Sequence, residues 1–324
     1  MSFKTRTRSI VTASLLASAV ALSLQSQQAR AEYPDKPVEI IIAWAAGGAT
    51  DLVTRAVQSA FSENLGADIV VKNIAGAAGT IGTAQAARAK PDGHTVLFTP
   101  TGPLTTQPHL RKLPYDIDSF DPVGRIAITQ VVMMTPKTTP YKTLQDVIDA
   151  GKANPGGLKF ASTGVGTLPH IAILSLDMAT GNESKHIPYK GSANAVKALL
   201  GGEVELFSDQ AQLIPKYDLH PVVSWSPERL PEYPDTPTLI ESGFDFSMAN
   251  WSGVFVPKGT PKPVIKKLSD ALQKSLTDPG VMAAMEKLKV IIDPMEPEAF
   301  GKFALADYKR NRDLLGSAGL LKKD

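Results

Sequence analysis

Three times along this 324-residue chain, an apolar strand runs into a Gly/Ala/Thr-rich turn that opens a helix. The first copy is Ile40-Ile41-Ile42-Ala43-Trp44-Ala45-Ala46-Gly47-Gly48-Ala49-Thr50-Asp51, and the second runs from Ile69 to Thr80. The third is Leu158-Lys159-Phe160-Ala161-Ser162-Thr163-Gly164-Val165-Gly166-Thr167. Such a turn leaves several backbone N–H groups and a helix N-terminus facing outward, an arrangement suited to holding an anion. For one such turn the plainer reading is structural, because Gly allows positive φ and close helix–strand packing. Three in one chain shift the balance toward binding.

The elements between the turns alternate. Val38 to Trp44 reads as a buried parallel strand. Leu52, Val53, Ala56, Val57, Ala60, Phe61 and Leu65 recur at helical spacing, and Gly66 ends the run. Strands are expected at Ile69 to Lys72 and Thr95 to Phe98, and a helix at Ile81 to Ala89. This βαβαβ start implies a parallel sheet with right-handed crossovers. Gly124 to Met134 is a long apolar run without a helical stripe, read as a strand leaving the first domain. Thr143-Leu144-Gln145-Asp146 opens a helix with a capping-box pattern. A second series follows, with strands at Leu158 to Ala161, Lys185 to Ile187, Val204 to Ser208 and Pro221 to Ser226. Its helices run from Leu168 to Met178 and from Ala193 to Leu200. Trp251 to Val256 is a strand, and helices are expected over Pro261 to Leu276 and Phe300 to Leu315. Two α/β series with later elements returning to the first suggest two lobes.

Residues 1–31 read as a cleaved export signal. Lys4, Arg6 and Arg8 precede a short apolar stretch from Ile10 to Leu24, and Ala29-Arg30-Ala31 fits a small-x-small cleavage site. Cleavage after Ala31 leaves 293 residues, and loss of four basic side chains takes the formal charge from +2 to −2. That length suits one large or two medium domains. No basic patch argues for nucleic acid. The chain has no cysteine, which removes thiol nucleophiles, disulfides and Cys-based metal sites.

Enzymatic readings find little support. The glycines of the first two turns miss the G-x-G-x-x-G order, and no Walker motif occurs. G-x-S-x-G, S-x-x-K and H-E-x-x-H are absent. The five histidines lack metal-ligand spacing. Ser162 and Thr163 serve more simply as hydroxyl donors than as nucleophiles. His170 opens a helix just after the third turn and suits a ligand carboxylate or a packing role about equally. Asp51, four residues before Arg55, reads as a residue that orders its turn, since a carboxylate beside an anionic ligand would repel it. Trp44 is either core or a cleft wall. Asp209 either faces a cleft or caps the next segment.

At these residues the chain resembles the substrate-binding proteins of tripartite tricarboxylate transporters, the Bug or TctC family. The blocks that carry the likeness include Tyr33-Pro34-Asp35-Lys36-Pro37, Ala45 to Asp51, Gly76 to Gly82 and Pro91 to Leu97. Leu113-Pro114-Tyr115-Asp116, Ser162 to His170, Pro188-Tyr189-Lys190-Gly191-Ser192 and Leu200-Gly201-Gly202 continue it, through Pro234 to Thr238 and Pro257 to Pro261. Each block is modest; their order and number are specific. The resemblance implies an α/β type II periplasmic-binding fold, with two lobes, a two-strand hinge and a ligand closed between them. Lobe 1 would comprise residues 32–127 and 244–324, and lobe 2 residues 128–243. It implies a periplasmic receptor, not an enzyme, needing no cofactor or metal. Its expected partners are a small organic carboxylate and the membrane permease subunits, with a periplasmic sensor domain as an alternative recipient; a monomer is expected. A C4-type dicarboxylate is the first expectation, and Trp44 motivates an aromatic dicarboxylate as the alternative. The family's manner of holding carboxylates points to Gly47, Gly48, Ala49 and Thr50 in the first loop, and to Ala78, Gly79 and Thr80 in the second. It points further to Thr101, and to Ser162, Thr163, Gly166 and Thr167 from the other lobe. Trp44, His170 and Asp209 join these on their own positions. The chain departs from the family at Ala43-Trp44 (commonly Pro-Phe), Ile74-Ala75 (Arg-Pro) and Ile173-Leu174 (Gly-Glu). It is also several residues shorter between Asp209 and Val222.

Overall fold

The computed structural model describes residues 33–322 other than Ala45, Gly48 and Lys190. The export signal expected over residues 1–31 lies outside the described residues. Residues 33–35 form a bend without regular structure, and Lys36–Asp324 form one compact unit.

The unit opens as its alternation predicts: β1 (Val38–Ile42), α1 (Ala49–Leu65), β2 (Ile69–Asn73), α2 (Thr80–Ala87) and β3 (Thr95–Pro100). β1 lies between β2 and β3, parallel to both. Its run of isoleucines is buried on both faces, which is why it shows no alternation. Two short helices, α3 (Thr101–Thr105) and α4 (Gln107–Leu110), follow β3.

β4 (Phe120–Pro136) then runs the length of the unit. Beyond it come α5 (Leu144–Ala153), β5 (Lys159–Ser162), α6 (Leu168–Thr180), β6 (Lys185–Pro188) and α7 (Ser192–Leu200). They are followed by β7 (Leu206–Gln210), α8 (Leu213–Tyr217) and β8 (Leu219–Ser224). The Thr143 hydroxyl accepts from the Asp146 N–H while Asp146 caps the Thr143 N–H, so the expected capping box starts α5. β5 is parallel to β6 and β7. The chain closes with β9 (Ala249–Pro257), α9 (Lys262–Ser275), α10 (Pro279–Lys287), β10 (Ile291–Met295) and α11 (Pro297–Ser317).

The described strands form one sheet in the order β2-β1-β3-β9-β4-β7-β5-β6, with β8 and β10 also on β4. β4 is common to both wings of it. From Phe120 to Gln130 it pairs with β9, and from Val131 onward with β7 and β8. β9 returns the chain beside β3, antiparallel to it. Separate cores lie on the two wings: one around Ile41, Leu97, Trp251, Phe255 and Phe300, another around Phe160, Ile171, Leu206 and Trp225.

Several details differ from the sequence reading. The strand expected at Val204 to Ser208 forms at Leu206–Gln210, because Val204 is buried before the ladder begins. α10 and β10 were not anticipated. β10 is an edge strand carrying Asp293 and Pro294, half out of the core, so its pattern is not that of a buried strand. Its place on β4 comes from tertiary contacts, including the buried Arg125, which donates to the Asp293 backbone oxygen and pairs with its carboxylate.

Candidate functional site

The first loop is organised by a carboxylate turned inward. Asp51 lies in the first turn of α1 and is 2% exposed. One oxygen accepts from the Gly47 N–H at 2.8 Å and from Arg55 Nε at 2.9 Å; the other accepts from Asn73 Nδ2 at 3.0 Å. Burial alone would raise this carboxyl, but the bonds from Arg55, Gly47 and Asn73 outweigh it and hold it below its ordinary value. The Gly47 N–H is therefore spent on the loop itself. Thr50 lies in the first turn of α1, and its carbonyl accepts from the Thr54 hydroxyl. Gly48 lies outside the described residues, and Ala49 is the first residue of α1.

The second loop packs against the first. Ala78 and Gly79 are both left-handed, with φ of +56° and +85°. A Cβ on Gly79 would meet Pro103 Cγ at 2.6 Å and the Trp44 indole at 3.4 Å, so Gly there permits both the backbone and the close approach of the ring. The Gly79 N–H donates to the Gly76 carbonyl, and the buried Thr80 hydroxyl donates to the Ala77 carbonyl. Trp44 is half-buried, its carbonyl accepting from Asn73 Nδ2. Its indole N–H is buried and, among the described residues, has no hydrogen-bond partner. Thr101 serves the fold more directly than expected: its buried hydroxyl accepts from the Trp251 N–H on β9 at 3.1 Å.

The third turn, after β5, is the richest in side-chain chemistry. Ser162 is fully buried; its hydroxyl oxygen accepts from the Gly164 N–H at 3.0 Å and lies 2.5 Å from His186 Nε2. Thr163 is partly exposed in the turn. The Thr167 hydroxyl donates to the Gly164 carbonyl at 2.7 Å. The Gly166 N–H donates to His170 Nδ1 at 3.0 Å, so the neutral ring of His170 carries its proton on Nε2. The rings of His170 and His186 stack with centroids 4.0 Å apart. Burial, then the neighbouring His186 ring, depress the His170 pKa to about 4; burial also lowers that of His186.

Asp209, the last but one residue of β7, is almost fully buried, accepting from the Ser192 hydroxyl at 2.5 Å and from the Gln210 N–H at 2.9 Å. Burial raises its pKa against the pull of those two bonds. Ser192 opens α7, so Asp209 braces that helix start.

The link between the wings runs through residues the sequence reading passed over. The Thr106 hydroxyl donates to the Gly166 carbonyl at 2.6 Å, and Gln107 Nε2 donates to the Val165 carbonyl at 3.3 Å. Leu110 packs so closely that a Cβ on Gly166, where φ is +72°, would sit 1.9 Å from its Cδ1. Gly166→Ala is expected to destabilise the protein by about 2–3 kcal/mol, combining left-handed strain with overpacking. A lowered thermal midpoint would check it, and an unchanged midpoint would mean that Leu110 yields without cost. His186 was also missed. Phe160 and His186 are register partners in β5 and β6, as are Ser162 and Pro188, so Ser162 and His186 share a face only once the strands pair.

A cavity of about 920 Å³ lies elsewhere, lined by Gln130, Gln212, Tyr233, Met282, Glu286 and Ile291 among others. It includes none of the candidate ligand residues. Volume alone does not make it the site, because the uncharged donors expected of an anion site gather at the loops.

The family model for the tripartite tricarboxylate transporter family receptor matches residues 53–320. The chain belongs to this family. Members of the family are solute-binding proteins rather than enzymes, and the receptor described here is one of them. It is 32% identical over 307 residues to a UPF0065 protein of Pseudomonas sp., covering 91% of each chain. Among solved structures it resembles the periplasmic binding protein BugD, with 35% identity and a TM-score of 0.78 over 90% of this chain and 100% of that one. It resembles MatC from Rhodopseudomonas palustris with bound malate, with 27% identity and a TM-score of 0.77 over 87% and 100% of the two chains. It also resembles an R. palustris protein with adipate, with 25% identity and a TM-score of 0.80 over 89% and 99%. The fold is the α/β periplasmic-binding fold of these proteins.

Proposed function

We propose that this receptor works in the periplasm, closes two lobes on a C4-type dicarboxylate and delivers it to the permease subunits of a tripartite tricarboxylate transporter. The lobes divide near residues 127/128 and 243/244. The pairing of β4 with β9 on one side of Gln130 and with β7 and β8 on the other supports that division. The observation that carries the ligand class is the chemistry of the turn after β5. It offers a hydroxyl at Thr163, an imidazole N–H at His170 and peptide groups, while the Asp51 carboxylate of the first loop is turned inward and occupied. Neutral donors hold an anion without a buried counter-charge, and bridging waters accommodate diacids of different length. The relatives with malate and adipate bound lend support to a diacid.

On this reading Trp44, Thr50, Ala78, Gly79 and Thr80 line the cleft from lobe 1, with Gly47 and Thr101 as its supports. Ser162, Thr163, Gly166, Thr167 and His170 line it from lobe 2, with Asp209 holding the start of α7. The indole N–H of Trp44, buried without a partner among the described residues, favours a ligand or water oxygen beside it and keeps an aromatic diacid as the second reading.

The test is a thermal-shift and calorimetric screen of the mature protein against malate, succinate, adipate, phthalate and citrate. The expected result is the largest stabilisation with a C4 diacid, reaching about 2.7 kcal/mol at a hundred times its Kd. Preference for phthalate would favour the second reading, and no response to any carboxylate would overturn both.

A further inference from the structure

The corner formed by α3 and α4 is fastened to the first wing and closes on the second. Thr101 holds the Trp251 N–H, and the Thr105 hydroxyl oxygen accepts from Asn311 Nδ2 at 2.9 Å. The Pro103 carbonyl accepts from the Tyr115 hydroxyl at 2.9 Å. Lys322 holds the next two carbonyls, that of Pro108 through its ammonium and that of His109 through its backbone N–H. The corner so anchored presents Thr106, Gln107 and Leu110 to the turn after β5. Leu110 packs on the core of the second wing, against Gly166, which has no side chain to oppose it. The Gly166 N–H is bound to His170 and the Thr167 N–H to the Gly164 carbonyl. What the turn offers the corner is therefore its carbonyls, at Val165 and Gly166.

We propose that Thr106, Gln107 and Leu110 are a latch, which holds the two wings shut before a ligand arrives and sets how fast one enters and leaves. The inference rests on the reading that two lobes open and close on the ligand. Both donors and both carbonyls of the junction are satisfied within this chain, so the contact needs no ligand to form.

The latch is also built to release. The Thr106 hydroxyl has one proton and two acceptors in reach: the Gly166 carbonyl across the junction at 2.6 Å and the Gly102 carbonyl of its own corner at 2.9 Å. When the wings part, the proton falls back on Gly102, four residues earlier, and no donor is stranded. Gln107 adds a second bias toward release. It is 1% exposed, its Nε2 reaches the Val165 carbonyl only at 3.3 Å, and its Oε1 is buried with no partner among the described residues. Opening hydrates that oxygen and recovers its desolvation cost. The shut form thus gains one short hydrogen bond and the Leu110 packing, and it carries one unsatisfied acceptor against them. Ligand binding to the shut form then adds to a closure that is already favourable.

The experiment compares wild type with Thr106→Val, which keeps the shape and loses the proton, and Thr106→Ser, which keeps the hydroxyl. Because the chain has no cysteine, spin labels can be carried by Lys90→Cys on the first wing and Lys152→Cys on the second, both exposed positions. With no ligand added, the wild-type background should give one short label separation. Thr106→Val should add a longer one, and Thr106→Ser should return to the first. Stopped-flow binding of malate gives the second readout. In Thr106→Val the association and dissociation rate constants should both rise by about five- to tenfold while Kd moves by less than about threefold, because the latch favours the shut form with and without ligand alike. A thermal midpoint close to wild type verifies folding, and Leu110→Ala, which removes the packing from the same corner, should act in the same direction. A long separation in wild type without ligand, or no change in Thr106→Val, would overturn the latch. So would a rise in the dissociation rate alone with Kd weakened by the same factor, since the junction would then form only after binding. Failure of wild type to bind any diacid would overturn the functional reading instead, and the separation measured without ligand would still decide the latch.

Discussion

Trp251→Ala is expected to cost about 5 kcal/mol of folding free energy, the upper range for emptying a buried tryptophan site. Trp251 sits on β9 at 1% exposure, in the strand that returns the chain from the second wing to the first. Its ring meets Phe300 edge-on at 5.3 Å and lies 6.1 Å from Phe255 and 6.4 Å from Phe303. Its indole N–H donates to Asp307 at 3.0 Å. Burial raises the Asp307 carboxyl, with Arg310 and then the indole N–H opposing that rise. Alanine would leave a cavity and also strip one donor from a buried carboxylate. Trp251→Phe separates the two losses: most of the packing remains, and the missing hydrogen bond should cost about 1–3 kcal/mol. Denaturant unfolding of both variants gives the comparison. If phenylalanine is as damaging as alanine, the bond to Asp307 rather than ring packing dominates at this position.

The largest expected effect on binding comes from Asp51→Ala. That carboxylate gathers the Gly47 N–H, Arg55 and Asn73, and Asn73 in turn holds the Trp44 carbonyl. Removing it frees the first loop and leaves buried donors without an acceptor. Ligand affinity should fall on the order of a hundredfold, equivalent to about 3 kcal/mol, although on this reading the side chain never touches ligand. Asp51→Asn should recover part of the loss by keeping one acceptor oxygen. The stability effect has a defined pH sign. The folded-state pKa is depressed from its ordinary 3.8, so the stabilisation is complete above that value and is lost as pH falls through the lower folded value. The gap in stability between wild type and Asp51→Ala should therefore begin to narrow only as pH falls below about 4. A gap that persists unchanged into that acid range would show that the carboxylate charge contributes nothing.

The parts of the fold that could be read along the chain are those with local causes. β1 and α1 announced themselves through an isoleucine run and a helical stripe closed by Gly66. The capping box at Thr143 and Asp146 set the start of α5 before any tertiary contact was known. The role of Asp51 was likewise legible, because an acidic residue in a first helical turn beside flexible glycines has few alternatives. β10 was not legible: an edge strand with Asp293 and Pro294 owes its existence to β4 and to the bond from Arg125. Thr106 and Gln107 gave no signal either, since their partners, Gly166 and Val165, lie about 60 residues further along the chain.

The same division runs through the opening feature, the strand–turn–helix device used three times. Its recurrence, its small residues and its lack of a catalytic motif come from the sequence by itself, together with the α/β class and the family likeness. Which donors the turns still offer was decided only in three dimensions. The Gly47 and Gly79 N–H groups are consumed within their own loops, and Thr101 is tied to β9. The third turn acquires an imidazole pair because β5, β6 and α6 bring Ser162, His186 and His170 together. The physical reason is the range of the interactions. Glycine φ, capping and hydrophobic period act over a few residues, whereas the direction of a hydroxyl proton depends on whichever atom folding places within about 3 Å of it.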